Sequence, residues 1–247
     1  TPSTGSFAIP AEPDYWPTAT WQTQTPEQQG FPDGALQDLA ADAAVALPYY
    51  TSLIVLRNGY IIHESYHDTG SETSDVNTKH HVWSVSKSVA SLTVGRALTK
   101  GDITSLGVKV SDVLPATITG ALAANPLALD IKLEDALRMK SGIGWNERQW
   151  LLQANDPMMK MQGGDPAACI PAGTAALACA ILYQPVVYTP GTVWNYSTYD
   201  TYIVSAFFTS LTGNTLGDYA TSELFAPLGI TSVAPTDWST FSLAYTY

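Results

Sequence analysis

Apolar residues follow a helical spacing in several stretches of the chain and alternate with polar residues in one. In residues 32–47 the apolar positions lie three and four apart, which predicts an amphipathic helix that ends before Pro48. Residues 53–66 form two β-rich runs around Asn58-Gly59. Because Asn-Gly suits the positive φ angles of a tight turn, these runs predict a β-hairpin.

The longest helical pattern begins at Ser84 and stops at Lys100-Gly101. Its apolar residues fall on more than one face, which predicts a helix inside the protein. They are Val85, Val89, Leu92, Val94, Ala97 and Leu98. Shorter patterns predict three further helices, at 127–137, 201–211 and 215–224.

Residues 1–30 have no such periodicity. They combine several prolines with Tyr15, Trp16 and Trp21. This composition predicts an extended arm, packed by its aromatic side chains, rather than a helix or a strand. We expect residues 31–247 to form one domain, with an α/β part at 31–80 and a helical lobe at about 81–232.

The charge and hydropathy of the chain exclude some partners. The 247 residues carry a net charge of −11, whereas nucleic acids and anionic membranes need a basic face, so we expect neither as a partner. No apolar run approaches the length of a membrane span. The chain begins at Thr1 in a polar, Pro-rich segment, from which we expect a removed signal peptide and a secreted or periplasmic location.

Two cysteines bear on the redox environment. Cys169 and Cys179 are ten positions apart, so a disulfide between them would close a short loop and stabilise the fold by about 3 kcal/mol. Two buried free thiols are an equally good interpretation, and we carry the disulfide forward as a prediction. No histidine has partners spaced for metal ligation, so we expect all four to be structural or to face solvent, with no metal and no cofactor: His63, His67, His80 and His81.

The start of the longest helix carries the candidate chemistry. Ser84 and Lys87 are three residues apart, and residues at this spacing share a helix face, so the lysine can reach the serine hydroxyl. A serine becomes a good nucleophile when a base takes its proton, and a lysine can serve once burial lowers its pKa. The preceding Trp83 and the apolar helix favour such burial, so we expect Lys87 to be neutral in the resting protein or to pass its proton readily to Tyr196.

Four sequence features occur in a specific order along the chain: the hairpin at 53–66, Trp83-Ser84-Val85-Ser86-Lys87, the segment 139–147, and Pro190-Gly191 leading to Tyr196-Ser197-Thr198. Together they resemble the serine β-lactamase and penicillin-binding-protein superfamily, and within it the esterase and 6-aminohexanoate-dimer-hydrolase branch. The resemblance covers residues from about 21 to about 232. It implies an α+β fold of the β-lactamase type, with an antiparallel sheet flanked by helices and an all-α lobe.

The resemblance also implies roles for individual residues. Ser84 would attack an ester or amide carbonyl, Lys87 would act as the general base, and Tyr196 would pass the proton to the leaving group. Thr198 stands where the family has Asn or Ser, and we predict that it contacts the substrate. Trp145 and Trp194 are expected to line an apolar cleft for a small ester or linear amide.

The late strands of the family's sheet have no counterpart in these residues. Neither Lys-Thr-Gly nor a Gly-Gly-Gly run follows Thr198, so the strand that supplies the second oxyanion N–H is not recognisable. The loss of one such donor costs roughly 3 kcal/mol in barrier height. We therefore expect a second polypeptide to supply the C-terminal strands, and we keep as an alternative a non-catalytic, penicillin-recognising type of binding or sensor domain.

Overall fold

The computed structural model describes residues 15–16, 20–47, 49–70, 73–80, 82, 84–113, 125–145 and 185–231. They fall into two compact units, Thr1–His80 and His81–Tyr247. Cys169 and Cys179 lie outside the described residues, as do His81 and Trp83. The disulfide therefore stays a prediction.

A β-hairpin is the centre of the first unit. Strands β1 (Ser52–Arg57) and β2 (Tyr60–Tyr66) pair antiparallel, as the sequence predicts. Asn58 and Gly59 both have positive φ, at 51° and 83°, which is the backbone geometry that a two-residue hairpin turn needs. The register shifts by one residue between Val55 and Leu56, so β2 contains a bulge.

The segment before the hairpin is more regular than its composition predicts. Gln24 N–H donates to the carbonyl of Ile61 at 3.1 Å, and Ile61 N–H donates to that of Gln22 at 3.0 Å, so residues 22–24 run along β2. The Tyr15 ring packs against that of Tyr60, with centroids 5.0 Å apart. The two tryptophans of this segment are exposed by 50% or more, so the expected aromatic packing holds for Tyr15 and is wrong for them: Trp16 and Trp21.

Helix α1 (Ala35–Ala46) confirms the helix predicted before Pro48. It begins after Gly34, whose φ is 76°, and only Leu36 among its residues is buried within the described structure. The helix predicted from the periodicity of residues 32–47 is thus correct, while two leucines of its apolar face, Leu39 and Leu47, are 49% and 57% exposed.

Helix α2 (Val85–Lys100) carries the candidate nucleophile and confirms both predicted ends. Gly101, at φ 84°, stops the helix by donating its N–H to the carbonyls of Ala97 and Leu98. The prediction that its apolar residues are covered on more than one face is wrong for the described residues, because Val85 and Leu92 are 62% and 61% exposed. One face alone is buried, and it includes several small residues: Ser86, Ala90, Thr93, Val94 and Ala97.

Helix α5 (Thr198–Thr212), rather than α2, is the buried helix of the second unit. Every residue from Thr198 to Phe208 is buried, polar side chains included. Its start corresponds to the helix predicted at 201–211, extended by three residues towards the N-terminus. Tyr196 therefore lies directly before the most deeply packed helix of the unit.

Shorter helices complete the second unit. The helix predicted at 127–137 is divided into a 3₁₀ turn (Pro126–Asp130) and α4 (Leu133–Leu137), and α3 (Val110–Val113) precedes both. The division arises because the backbone at Ile131 and Leu133 bonds to that at Val110 and Val108 instead of continuing a helix. The helix predicted at 215–224 starts as α6 (Leu216–Ala220), continues as a π turn (Thr221–Phe225) and ends in a 3₁₀ turn (Ala226–Leu228).

Two segments distant in sequence pair through their main chains. The turn at 139–145 is hydrogen-bonded to the loop at 185–195. Gly191 N–H donates to the carbonyl of Lys140 at 2.8 Å, and Val187 N–H donates to the carbonyl of Gly142 at 2.8 Å. Gly142 has φ 85°, and a Cβ placed there would lie 2.1 Å from the carbonyl oxygen of Tyr188. Only glycine permits this approach of the two backbones.

None of the described helices is long and apolar enough to cross a membrane.

We predict that Gly142→Ala destabilises the protein far more than Gly213→Ala. Both glycines have positive φ, so each substitution pays about 1–2 kcal/mol for a left-handed alanine. A Cβ at Gly213 meets nothing within 4 Å, whereas one at Gly142 meets a backbone carbonyl. Urea unfolding should show the extra loss at position 142. Equal losses for the two variants would mean that the approach to Tyr188 is not a constraint.

Candidate active site

The predicted nucleophile and base lie within hydrogen-bond distance. Lys87 Nζ donates to Ser84 Oγ at 3.0 Å. Ser84 immediately precedes α2, and Lys87 is on the first turn, where its N–H also bonds to the carbonyl of Ser84 at 3.1 Å. The Ser84 side chain is exposed and that of Lys87 is half-buried, so the hydroxyl is open to an approaching carbonyl compound.

Tyr196 joins this pair from the other side of the sequence. Lys87 Nζ lies 5.3 Å from the centroid of the Tyr196 ring, a distance at which a cation and an aromatic face attract. Ser84, Lys87 and Tyr196 are thus brought together by the start of α2 and by the loop before α5. A hydrogen bond joins Ser84 to Lys87, while Tyr196 meets Lys87 through its ring.

Asn195 holds the loop that carries Tyr196. Its backbone N–H donates to the carbonyl of Met139 at 2.9 Å, and its side-chain Nδ2 donates to the carbonyl of Trp145 at 2.6 Å and to that of Ile143 at 3.3 Å. Both its main chain and its side chain therefore bind the turn at 139–145. The sequence analysis missed Asn195, because its partners lie some fifty positions away and such contacts cannot be predicted from the local pattern of residues.

Ser141 and Asp200 form a second, buried connection between the same segments. Ser141 Oγ donates to Asp200 Oδ1 at 2.6 Å, and its N–H donates to Oδ2 at 3.2 Å. Both residues are 1% exposed. Burial raises the pKa of the Asp200 carboxyl to about 7, although the two bonds from Ser141 act in the opposite direction. Sequence reasoning missed this pair as well, for the same reason.

The predicted substrate-binding residues differ in accessibility. Trp194 is 62% exposed, and its ring lies 6.4 Å from that of Tyr196. Trp145 is 6% exposed and packs edge-on against Tyr199, with centroids 5.0 Å apart. Thr198 is 4% exposed, which leaves little of its side chain for a ligand. Their substrate-binding roles stay predictions, and Thr198 has the weakest support.

A cavity lies next to the loop that carries Tyr196. Its volume is about 340 Å³, and the two predicted tryptophans form part of its wall. The residues that line it are Gly144, Trp145, Val187, Tyr188, Val193, Trp194 and Asn195.

The described histidines have structural surroundings. His63 Nε2 hydrogen-bonds with Ser65 Oγ at 3.0 Å, and the His67 ring stacks on Tyr50 with centroids 5.8 Å apart. Within the described ranges, no group of three or more His, Cys, Asp or Glu residues could hold a metal ion.

The helices, the small antiparallel sheet and the position of Ser84 at the start of α2 define a β-lactamase-like fold of the α+β class. A family described as Beta-lactamase matches residues 23–245. The chain belongs to this family, whose members are generally serine hydrolases. The superfamily that the sequence motifs resemble is therefore confirmed.

Solved structures share this fold at low sequence identity. A candidate beta-lactamase from Bacteroides dorei DSM 17855 has a TM-score of 0.59 and 21% identity, over 87% of this chain and 58% of that one. An octameric penicillin-binding protein homologue from Pyrococcus abyssi has a TM-score of 0.57 and 15% identity, over 79% of this chain and 43% of that one. A candidate 6-aminohexanoate-dimer hydrolase from Bacillus anthracis has a TM-score of 0.50 and 17% identity, over 81% of this chain and 50% of that one. No protein with a curated function matches the chain.

The chain thus spans between 43% and 58% of the length of these three structures. At identities of 15% to 21%, the likeness concerns the fold alone.

We predict that Asp200→Asn changes how stability depends on pH. An unfolded Asp releases its proton near pH 4, whereas buried Asp200 holds it to about pH 7. Between these values the native state binds more protons, so ionisation of Asp200 makes the free energy of unfolding fall as pH rises, with no further fall above about pH 7. Asparagine does not titrate, so the free energy of unfolding of the variant should rise relative to that of the wild type as pH increases over this range, by up to about 4 kcal/mol.

Chemical unfolding at pH 4 to 8 measures the difference between wild type and variant. Asp42→Asn, which replaces an exposed carboxyl on α1, is the control and should give a difference that stays nearly constant from pH 5 to 8. A constant difference for Asp200→Asn would contradict the raised pKa.

Proposed function

We propose that this chain carries the catalytic residues of a serine hydrolase that cleaves small esters or linear amides through an acyl-enzyme on Ser84. The observation that carries the proposal is the contact of Lys87 Nζ with Ser84 Oγ at 3.0 Å, beside the ring of Tyr196. Family membership supports the same class of reaction.

The proposed reaction begins when Lys87 accepts the proton of the Ser84 hydroxyl as Oγ attacks the carbonyl carbon. Tyr196, next to the resulting ammonium, donates its phenolic proton to the leaving oxygen or nitrogen and regains one from Lys87. The bond to the leaving group breaks, and an alcohol or amine departs. Water then adds to the acyl-Ser84 ester by the reverse proton path and releases the acid.

The first test is acylation of Ser84. A fluorophosphonate or a p-nitrophenyl ester should add mass to the peptide that contains Ser84, and Ser84→Ala should abolish both labelling and turnover. Ser88→Ala, an exposed serine one turn along the same helix, is the matched control and should keep both. A label found only on other residues would reject the assignment.

Variants of Lys87 separate a general base from a positive charge. Arginine keeps the charge and the donors but does not give up its proton, so Lys87→Arg should lower the acylation rate by about 100-fold or more. Lys100→Arg, at the other end of α2 in an ion pair with Glu223 at 2.7 Å, should retain the rate. Acylation by Lys87→Arg at close to the wild-type rate would exclude the general-base role.

The acylation experiment on Ser84 also tests the alternative function. If Ser84 is acylated but the acyl group is not hydrolysed, the protein acts as a binding or sensor domain rather than as an enzyme. Acylation itself requires a proton for the leaving group, so the Ser84–Lys87–Tyr196 arrangement serves both functions, and the rate of deacylation decides between them.

Completion of the sheet is a further part of the proposal. We expect a second polypeptide to supply the late strands and the second oxyanion N–H, and the exposed apolar side chains of Val85 and Leu92 on α2 support this. Denaturing electrophoresis and intact-mass measurement of the active species should then show a second chain. A single 26.4 kDa species that hydrolyses esters would contradict the expectation.

A further inference from the structure

The cavity beside Tyr196 has the size of a small-molecule site. Its volume of about 340 Å³ falls in the range of roughly 300–1,000 Å³ that is typical of ligand pockets. A cavity of about 150 Å³ is enough for benzene in a protein interior. The space beside Trp194 therefore suffices for an aromatic ring with a short chain attached.

The lining of the cavity favours an uncharged ligand that carries an aromatic ring. Two tryptophans and a tyrosine contribute to the wall, polar atoms form more of its surface than apolar atoms do, and none of the seven lining residues is acidic or basic. The one side-chain amide, that of Asn195, already donates to the carbonyls of Trp145 and Ile143. A charged ligand would find no opposite charge there and would lose its hydration without compensation.

Part of this wall is fixed before any ligand arrives. Trp145 is buried against Tyr199, and the neighbouring Gly144 is so close to Val187 that a Cβ would lie 2.8 Å from one of its methyl groups. Gly144 N–H also donates to the carbonyl of Pro185 at 3.0 Å. Because this wall is already ordered, ligand binding loses little free energy in ordering it.

Trp194 links the cavity to the proton path. Its ring is 6.4 Å from that of Tyr196, and the Tyr196 ring is 5.3 Å from Lys87 Nζ. In the proposed reaction Tyr196 gives its proton to the leaving group, so the leaving group comes next to Tyr196, whose ring has Trp194 as a neighbour.

We infer that the cavity receives the leaving group, and that the preferred substrates are esters or amides of an aryl or arylalkyl alcohol or amine. This inference rests on the proposed function. Ser84 Oγ forms its bond to the carbonyl carbon as the C–O or C–N bond breaks, and the proton of Ser84 reaches the departing atom through Lys87 and Tyr196. The leaving group therefore departs as a neutral molecule, which the uncharged cavity accepts.

The kinetic test compares two esters with the same acyl group. Ethyl acetate and 2-phenylethyl acetate both release a primary alcohol, and they differ in the ring. Because the ring would lose its aromatic contact, Trp194→Ala should lower the ratio of kcat/KM for the phenylethyl over the ethyl ester by about tenfold. Trp194→Phe, which retains a ring, should restore most of the ratio.

Trp16→Ala is the matched control, because Trp16 is 63% exposed and Trp194 is 62% exposed. It should leave the ratio unchanged. A ratio that Trp194→Ala does not alter would overturn the inference. Thermal unfolding of each variant checks that it is folded, and the exposure of Trp194 predicts little loss of stability from its replacement.

A binding measurement separates this inference from the proposed function. In the Ser84→Ala background, calorimetry or ligand-observed NMR should detect 2-phenylethanol but not ethanol, and Trp194→Ala should weaken the binding about tenfold. If esters are hydrolysed while neither binding nor the ratio depends on Trp194, the inference alone is overturned. If Ser84 is never acylated, the leaving-group role falls with the proposed function, even where the alcohol binds.

Discussion

The main-chain pairing of the turn at 139–145 with the loop at 185–195 is the constraint on which the candidate site depends. Tyr196 directly follows this loop, so the bonds made by Asn195 and Gly191 fix where the phenol stands relative to Lys87. The pairing needs a glycine at position 142 because the partner carbonyl occupies the space of a side chain. The site is thus set by backbone geometry as much as by its reactive groups.

Helix α5 extends this constraint into the core. Its first turn contributes Asp200, which Ser141 binds through both its hydroxyl and its N–H. Because every residue from Thr198 to Phe208 is buried, the helix start cannot shift without disturbing the packing around it. A phenol placed just before such a rigid element has little freedom to shift, which is what the proposed proton transfer requires.

Local features of the chain could be predicted, and contacts between distant segments could not. Asn58-Gly59 identifies the hairpin because two positive φ angles are a property of those two residues. The three-residue spacing of Ser84 and Lys87 likewise predicts their hydrogen bond. Periodicity did not rank α2 and α5 by burial, because α5 buries polar residues such as Asp200 whose partners lie on another segment. The bonds of Asn195 escaped prediction for the same reason.

The tie between residues 142 and 188 also bears on how the chain tolerates changes in length. Gly142 accepts hydrogen bonds from the N–H groups of Val187 and Tyr188, so two points some 45 positions apart in the sequence are held together. The entropy of closing a loop grows only with the logarithm of its length, by about 0.6 kcal/mol for each doubling. A change in the number of residues between the tied ends therefore alters the free energy of closing them only slightly, and the main-chain bonds at Gly142 do not depend on one particular length of chain.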